Sequence, residues 1–148
     1  MSRNVRTVAA TPSAVWQVLS DGWLFPVWVV GASRMREVDG HWPEVGAKLH
    51  HSVGIWPALI NDNTEVLEAL PDHLLRLRTR GWPAGEAEVV LRLEAVGAGT
   101  RITLDEDAVQ GPGSFMPRAL RTPALAWRNT ETLRRLGFVV ENRQEGAA

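Results

Sequence analysis

Three consecutive segments in the second half of the chain alternate with a period of two between mainly apolar and mainly polar or charged residues, and they constrain the fold more than any other feature. In Leu74 to Arg80, Leu75, Leu77 and Thr79 share one face while Arg76, Arg78 and Arg80 share the other. Glu86 to Ala95 sets Ala87, Val89, Leu91 and Leu93 against Glu88, Arg92 and Glu94. Thr100 to Ala108 sets Ile102, Leu104, Glu106 and Ala108 against Arg101, Thr103, Asp105 and Asp107. A period of two sends successive side chains to opposite faces of a strand, and clean alternation marks a sheet with one dry and one wet face. The charges then set the register. The tight loop Val96-Gly97-Ala98-Gly99 pairs Ala95 with Thr100 and puts Glu94 opposite Arg101. On the dry face Leu93 meets Ile102, Leu91 meets Leu104 and Val89 meets Glu106. A turn from Gly81 to Gly85 puts Arg80 opposite Glu86 and Arg78 opposite Glu88. Opposite charges face each other in both hairpins, as cross-strand pairing favours. A slip of one residue would turn every apolar side chain to water.

A sheet with one dry face needs a cover, and the rest of the chain supplies candidates. Val5 to Ala9 reads as a first strand. Thr11 can cap a helix with Pro12 at its first position, and Val15, Trp16, Val18 and Leu19 give it an apolar face before Asp21-Gly22 ends it. Trp23 to Val30, interrupted by Pro26, reads as a short helix or helical turn. Strands follow at Arg34 to Val38, Ala47 to Val53 and Leu59 to Leu70, the last long enough to be bulged or bent. Near the end, Thr122-Pro123 reads as a helix start, Gly137 as its C-cap after Leu136. Leu120, Trp127, Thr130, Arg134 and Gly137 fall near one stripe of this helix, widened by Ala124, Leu133 and Leu136. Arg128, Asn129, Glu131 and Arg135 fall mostly on the solvent side. The order is one strand, two short helices, six strands and a long helix. Segregated elements of this kind make an α+β domain of about seven antiparallel strands curved around the C-terminal helix. Residues 1–141 form that single domain, and the polar tail 142–148 is expected to fray.

Composition removes several functions. The formal net charge of −1 offers no basic field for nucleic acid. The chain has no cysteine and no tyrosine, so disulfides, thiolate zinc sites and cysteine nucleophiles are excluded. No apolar stretch is long enough to insert in a membrane, and the opening residues lack the apolar run of a secretory signal, so a cytoplasmic protein is expected. Ser114 lies in Gly113-Ser114-Phe115, which is not a nucleophile elbow. No phosphate loop or dinucleotide fingerprint occurs, and no cofactor is expected.

Several motifs, weak singly, occur in a telling order: Pro12-Ser13-Ala14-Val15-Trp16, Trp28-Val29-Val30-Gly31-Ala32, Val38-Asp39-Gly40-His41-Trp42-Pro43 with Val45-Gly46, Thr64-Glu65-Val66-Leu67-Glu68, Gly99-Thr100-Arg101-Ile102-Thr103-Leu104 with Glu106, and Trp127-Arg128-Asn129. Together they resemble the helix-grip fold of the START/Bet v 1-like superfamily, known as SRPBCC, in its bacterial polyketide cyclase/dehydrase-like branch. The resemblance covers about Val5 to Val140. It implies a cavity between sheet and helix that takes up lipids, polyketides or other apolar molecules, but it fixes no reaction.

Glu106 is the sharpest candidate for chemistry. The register points it inward between Leu104 and Ala108, where a carboxylate can serve as acid or base. The competing expectation is a structural bond to Arg128 or Arg118. His50 and His51 are adjacent and so point to opposite faces. If Leu49 and Val53 face inward, so does His51, which can then orient a ligand or act as a base. His41 and His73 fall in turns, and no set of ligands suggests a metal. Asn61, Asp62 and Asn63 are unusual in a strand, and one or two of them are expected to face the pocket. Three readings follow. The first is a binder of a small apolar molecule, as monomer or homodimer, with Trp28, Leu77, Val89, Leu91, Leu104, Met116, Leu120 and Trp127 lining the site. The second is an aromatase/cyclase- or dehydrase-type enzyme using Glu106 and His51. The third is an interaction module like the chaperone activators of the superfamily, with a filled interior and an exposed apolar patch.

Overall fold

The computed structural model describes residues 2–30, 32–53, 60–81, 85–110 and 118–147. Seven strands occur among them: β1 (Ser2–Val8), β2 (Ala32–Val38), β3 (Lys48–Val53), β4 (Ile60–Leu70), β5 (Leu74–Gly81), β6 (Gly85–Val96) and β7 (Gly99–Gln110). Between β1 and β2 lie helix α1 (Pro12–Leu19), a short 3-10 turn (Gly22–Leu24) and helix α2 (Phe25–Trp28). Helix α3 (Arg118–Ala147) closes the chain. The strands form one antiparallel sheet in the order β1-β7-β6-β5-β4-β3-β2. This is the helix-grip arrangement.

The charge-derived register holds. Glu94 pairs with Arg101, Leu93 with Ile102, Leu91 with Leu104 and Val89 with Glu106. Across the other hairpin Arg80 pairs with Glu86 and Arg78 with Glu88. The wet face carries ion pairs along it, Arg80–Glu86 at 2.7 Å and Arg76–Glu88 at 3.4 Å among them. Strand β4 is irregular between Val66 and Glu68, as its length suggested.

Local signals set the small helices. The Thr11 side chain accepts from the backbone N–H of Ala14 at 3.2 Å and caps α1, with Pro12 in its first turn. At the other end of α1, the indole N–H of Trp42 donates to the Leu19 carbonyl at 3.1 Å, satisfying one of the carbonyls that a helix end leaves open.

Helix α3 departs from the sequence reading in its limits and its phase. It begins at Arg118, passes through Pro123 and Gly137, and continues to Ala147 across the segment expected to fray. Gly137 is not a cap. A Cβ there would lie 3.0 Å from Nε of Arg6 and 3.1 Å from Cγ1 of Val8, so the glycine lets the helix approach β1 closely. The buried face carries Asn129, Thr132, Leu133, Leu136 and Val140. Two polar residues in that stripe misled the helical phasing. Thr132 accepts from the N–H of Val30 at 3.2 Å, and Asn129 donates to Glu106 at 3.0 Å. Both polar groups are satisfied, so both can be buried.

Candidate functional site

The direction of α3 over the sheet follows from its contacts with β1. Gly137 lies over Arg6 and Val8, while the Asn4 amide donates to the Ala126 carbonyl at 3.1 Å and to Thr130 at 2.8 Å. The N-terminal turns of α3 therefore extend past Ser2 and Glu106 toward the end of the sheet that holds His51, Gly81 and Gly85. The inner face of the sheet changes character along the same direction.

Beneath the later part of α3 the inner face is closed. Leu75, Leu91, Leu93, Ile102 and Leu104 are buried in one cluster with Leu133, Leu136 and Val140. The next cross-strand row is Ser2, Glu106, Val89, Leu77 and Val66. Glu106 is 4% exposed. Its carboxylate accepts from the Arg128 guanidinium through both oxygens and from the Asn129 amide. The expected partner Arg128 is thus the one observed, and Arg128 is turned toward the sheet rather than wholly toward solvent.

In the next row Leu49, Thr64, Thr79 and Ala87 pair in succession across β3 to β6, and the inward side chains on β4, β5 and β6 are small or polar. Thr79 and Ala87 are half-buried, as is Val89 one row below. They face inward from β5 and β6, the middle of the sheet, where a filled interior would bury them completely.

His51 stands at this end. It pairs with Asp62 across β3 and β4 and is 2% exposed. Its Nε2 lies 2.8 Å from the Thr64 hydroxyl. The Phe25 ring stacks on the imidazole with centroids 5.6 Å apart and planes 23° apart. Phe25 also meets Trp28 edge-on at 5.4 Å. Burial pushes the His51 pKa below its ordinary value, opposed in part by the Asp62 charge, so the ring is neutral at pH 7. Two nitrogens in this group, Nδ1 of His51 and Nε1 of Trp28, are buried without a hydrogen-bond partner among the described residues. Register also resolves the polar run of β4. Asp62 and Thr64 share the face of His51 and Leu49, and Asn63 takes the other.

The expected lining residues are divided by this geometry. Leu77, Leu91 and Leu104 belong to the closed core, Trp28 is buried beside Phe25, and Val89 borders the accessible surface. Trp127 does not line the interior. It is 73% exposed, because the true buried stripe of α3 is centred on Asn129 and Leu133. Met116 lies outside the described residues, as does the side chain of Leu120. Phe25, Thr64, Thr79 and Ala87 were not singled out from sequence. The alternation of β5 and β6 already placed Thr79 and Ala87 inward, and their small size was the available signal. A groove of about 470 Å³ is lined by Pro12, His73 and Leu93 among others.

The sequence model of the family described as polyketide cyclase / dehydrase and lipid transport matches residues 2–141. No curated protein matches the sequence. Solved structures share the fold. A protein from Rhodobacter sphaeroides aligns with a TM-score of 0.71 at 25% identity, covering 93% of this chain and 90% of that one. Ara h 8.0201 aligns with a TM-score of 0.71 at 11% identity, over 93% and 95% of the two chains. DynU16, from the dynemicin biosynthetic locus, aligns with a TM-score of 0.67 at 21% identity, over 95% of this chain and 46% of its own.

Proposed function

This chain belongs to the polyketide cyclase / dehydrase and lipid transport family, and from that premise we propose that it binds one small, mainly apolar molecule at the open end of its concave sheet face. The observation that carries this reading is the group of inward residues on central strands, Thr79, Ala87 and Val89, that remain partly accessible. A guest seated there removes its own apolar surface and that of the protein from water, at roughly 25 cal/mol per Å². The leucine-rich end of the same face contributes stability rather than space. Helix α3 is held in place between the two ends by the bond of Glu106 to Arg128 and Asn129.

That bond also bears on a cyclase or dehydrase reading, in which Glu106 was the expected acid/base group. A carboxylate held by two donors from α3 serves to fix the helix, and acid/base chemistry would fall to His51. The test is a titration with the apolar fluorophore N-phenyl-naphthylamine. Saturable enhancement with one equivalent per chain is expected, and Ala87→Leu abolishes it while the fold, followed by circular dichroism, is retained. Absence of saturable binding to the unmodified protein overturns the proposal. Mass spectrometry of organic extracts of the purified protein then identifies the natural guest.

A further inference from the structure

Resting on that reading, we infer that Nδ1 of His51 and Nε1 of Trp28 form the polar end of the binding site and hold one uncharged oxygen of an otherwise apolar guest, such as a phenol, alcohol or ketone.

Buried polar groups in folded chains are nearly always hydrogen-bonded, and those that are not call for an explanation. Here two orphaned ring nitrogens lie in side chains 2% and 3% exposed, each packed against the same phenyl ring, Phe25. The His51 ring cannot turn to relieve its own orphan. Nε2 is tied to Thr64, and Phe25 covers one face. The direction of Nδ1 is therefore set by the protein. Indole Nε1–H only donates, whereas Nδ1 donates or accepts according to tautomer, and the Thr64 hydroxyl can accommodate either tautomer. A hydroxyl oxygen can accept from Trp28 while donating to Nδ1, and a carbonyl oxygen can accept from Trp28 and from Nδ1–H.

The surroundings select against an anion. Burial keeps His51 unprotonated, and Asp62 occupies the paired position on β4, on the same face. The neighbouring cation, Arg36, donates to the backbone carbonyls of Asp62, at 3.0 Å, and His51, at 3.3 Å. A guest carboxylate would be desolvated with no protonated imidazole to receive it.

The experiment compares naphthalene, naphthol and naphthoate as competitors of N-phenyl-naphthylamine on the full chain. Naphthol is expected to compete at least about tenfold better than naphthalene, the net increment of the two hydrogen bonds its oxygen makes, and naphthoate worse than naphthol. In His51→Leu and in Trp28→Phe the naphthol advantage shrinks while naphthalene competes as before. A readout that needs no variant is the imidazole nitrogen NMR spectrum of the unmodified protein. The Nδ1 resonance of His51 shifts on adding naphthol and stays in place with naphthalene. Equal competition by naphthol and naphthalene, or strongest competition by naphthoate, overturns this inference and leaves the apolar pocket standing. Failure of the fluorophore itself to bind overturns both.

Discussion

The two ends of the concave sheet face share strands β5 and β6 and differ in what they present. At one end Leu75, Leu91, Ile102 and Leu104 meet Leu133, Leu136 and Val140, and the space between sheet and helix is filled. At the other end β5 and β6 carry Thr79 and Ala87, which stay partly accessible, while Thr64 on β4 and His51 on β3 are buried. Side-chain volume changes along strands β5 and β6 while the alternation does not. The pairing of β5 with β6 thus runs without a shift past both a fully buried part of the inner face and a partly accessible one. The ion pair of Glu106 with Arg128 marks the boundary.

The largest effect is expected at the closed end. Leu91→Ala removes a fully buried side chain and costs about 2–5 kcal/mol of unfolding free energy in urea denaturation, with little change in probe binding per folded molecule. At the open end Ala87→Leu costs under about 1 kcal/mol, because the added atoms enter unfilled space instead of a packed core. Comparable losses for the two substitutions would erase the distinction between the ends.

Glu106→Gln tests the boundary. The carboxylate is buried, but the Arg128 side chain is 38% exposed, so a loss of about 2 kcal/mol is expected, below that of a fully buried pair. Probe binding should persist. Loss of binding with unchanged stability would move Glu106 from the scaffold into the site.

Gly137→Ala sharpens the account of the helix cover. Alanine in a helix interior normally gains up to about 1 kcal/mol over glycine. Here the new methyl group meets Arg6 and Val8 on β1, so no rise in the unfolding midpoint is expected. A rise of the full helix-propensity amount would show that α3 does not sit closely on β1.

The smallest effect is in the pH dependence. His51 has a folded-state pKa below its ordinary value of 6.5. Its neutral form is therefore favoured by folding, and the associated stability is present above pH 6.5 and lost as pH falls toward the folded-state value. Asp105 behaves likewise at lower pH. Arg3 and then Arg92 hold its carboxyl below the ordinary value of 3.8, so its contribution is present above that pH and disappears under stronger acid. Stability curves of the unmodified protein and of His51→Leu should diverge between neutrality and pH 5, with the variant flatter. Parallel curves would place His51 in water rather than in the interior.

Strand number, register and inner face could be read directly from the sequence. A period of two is a local property, and the charges of Arg78, Arg80, Glu86, Glu88, Glu94 and Arg101 left one register in which opposite signs meet. The inward placement of Glu106 and His51 followed from the same counting. The phase of α3 did not, because Asn129 and Thr132 are polar yet buried, and their partners Glu106 and the Val30 amide are distant in sequence. For the same reason Trp127, apolar and seemingly suited to a pocket, lies in water. Nor could the role of Gly137 be seen, since a glycine that ends a helix and one that admits a neighbouring strand are the same letter. The sequence by itself determined which side chains face inward from the sheet, because alternation depends only on the chain's own geometry. Only the tertiary structure decided which inward residues are covered, paired or left accessible, because that depends on where a helix about a hundred residues from β1 comes to rest.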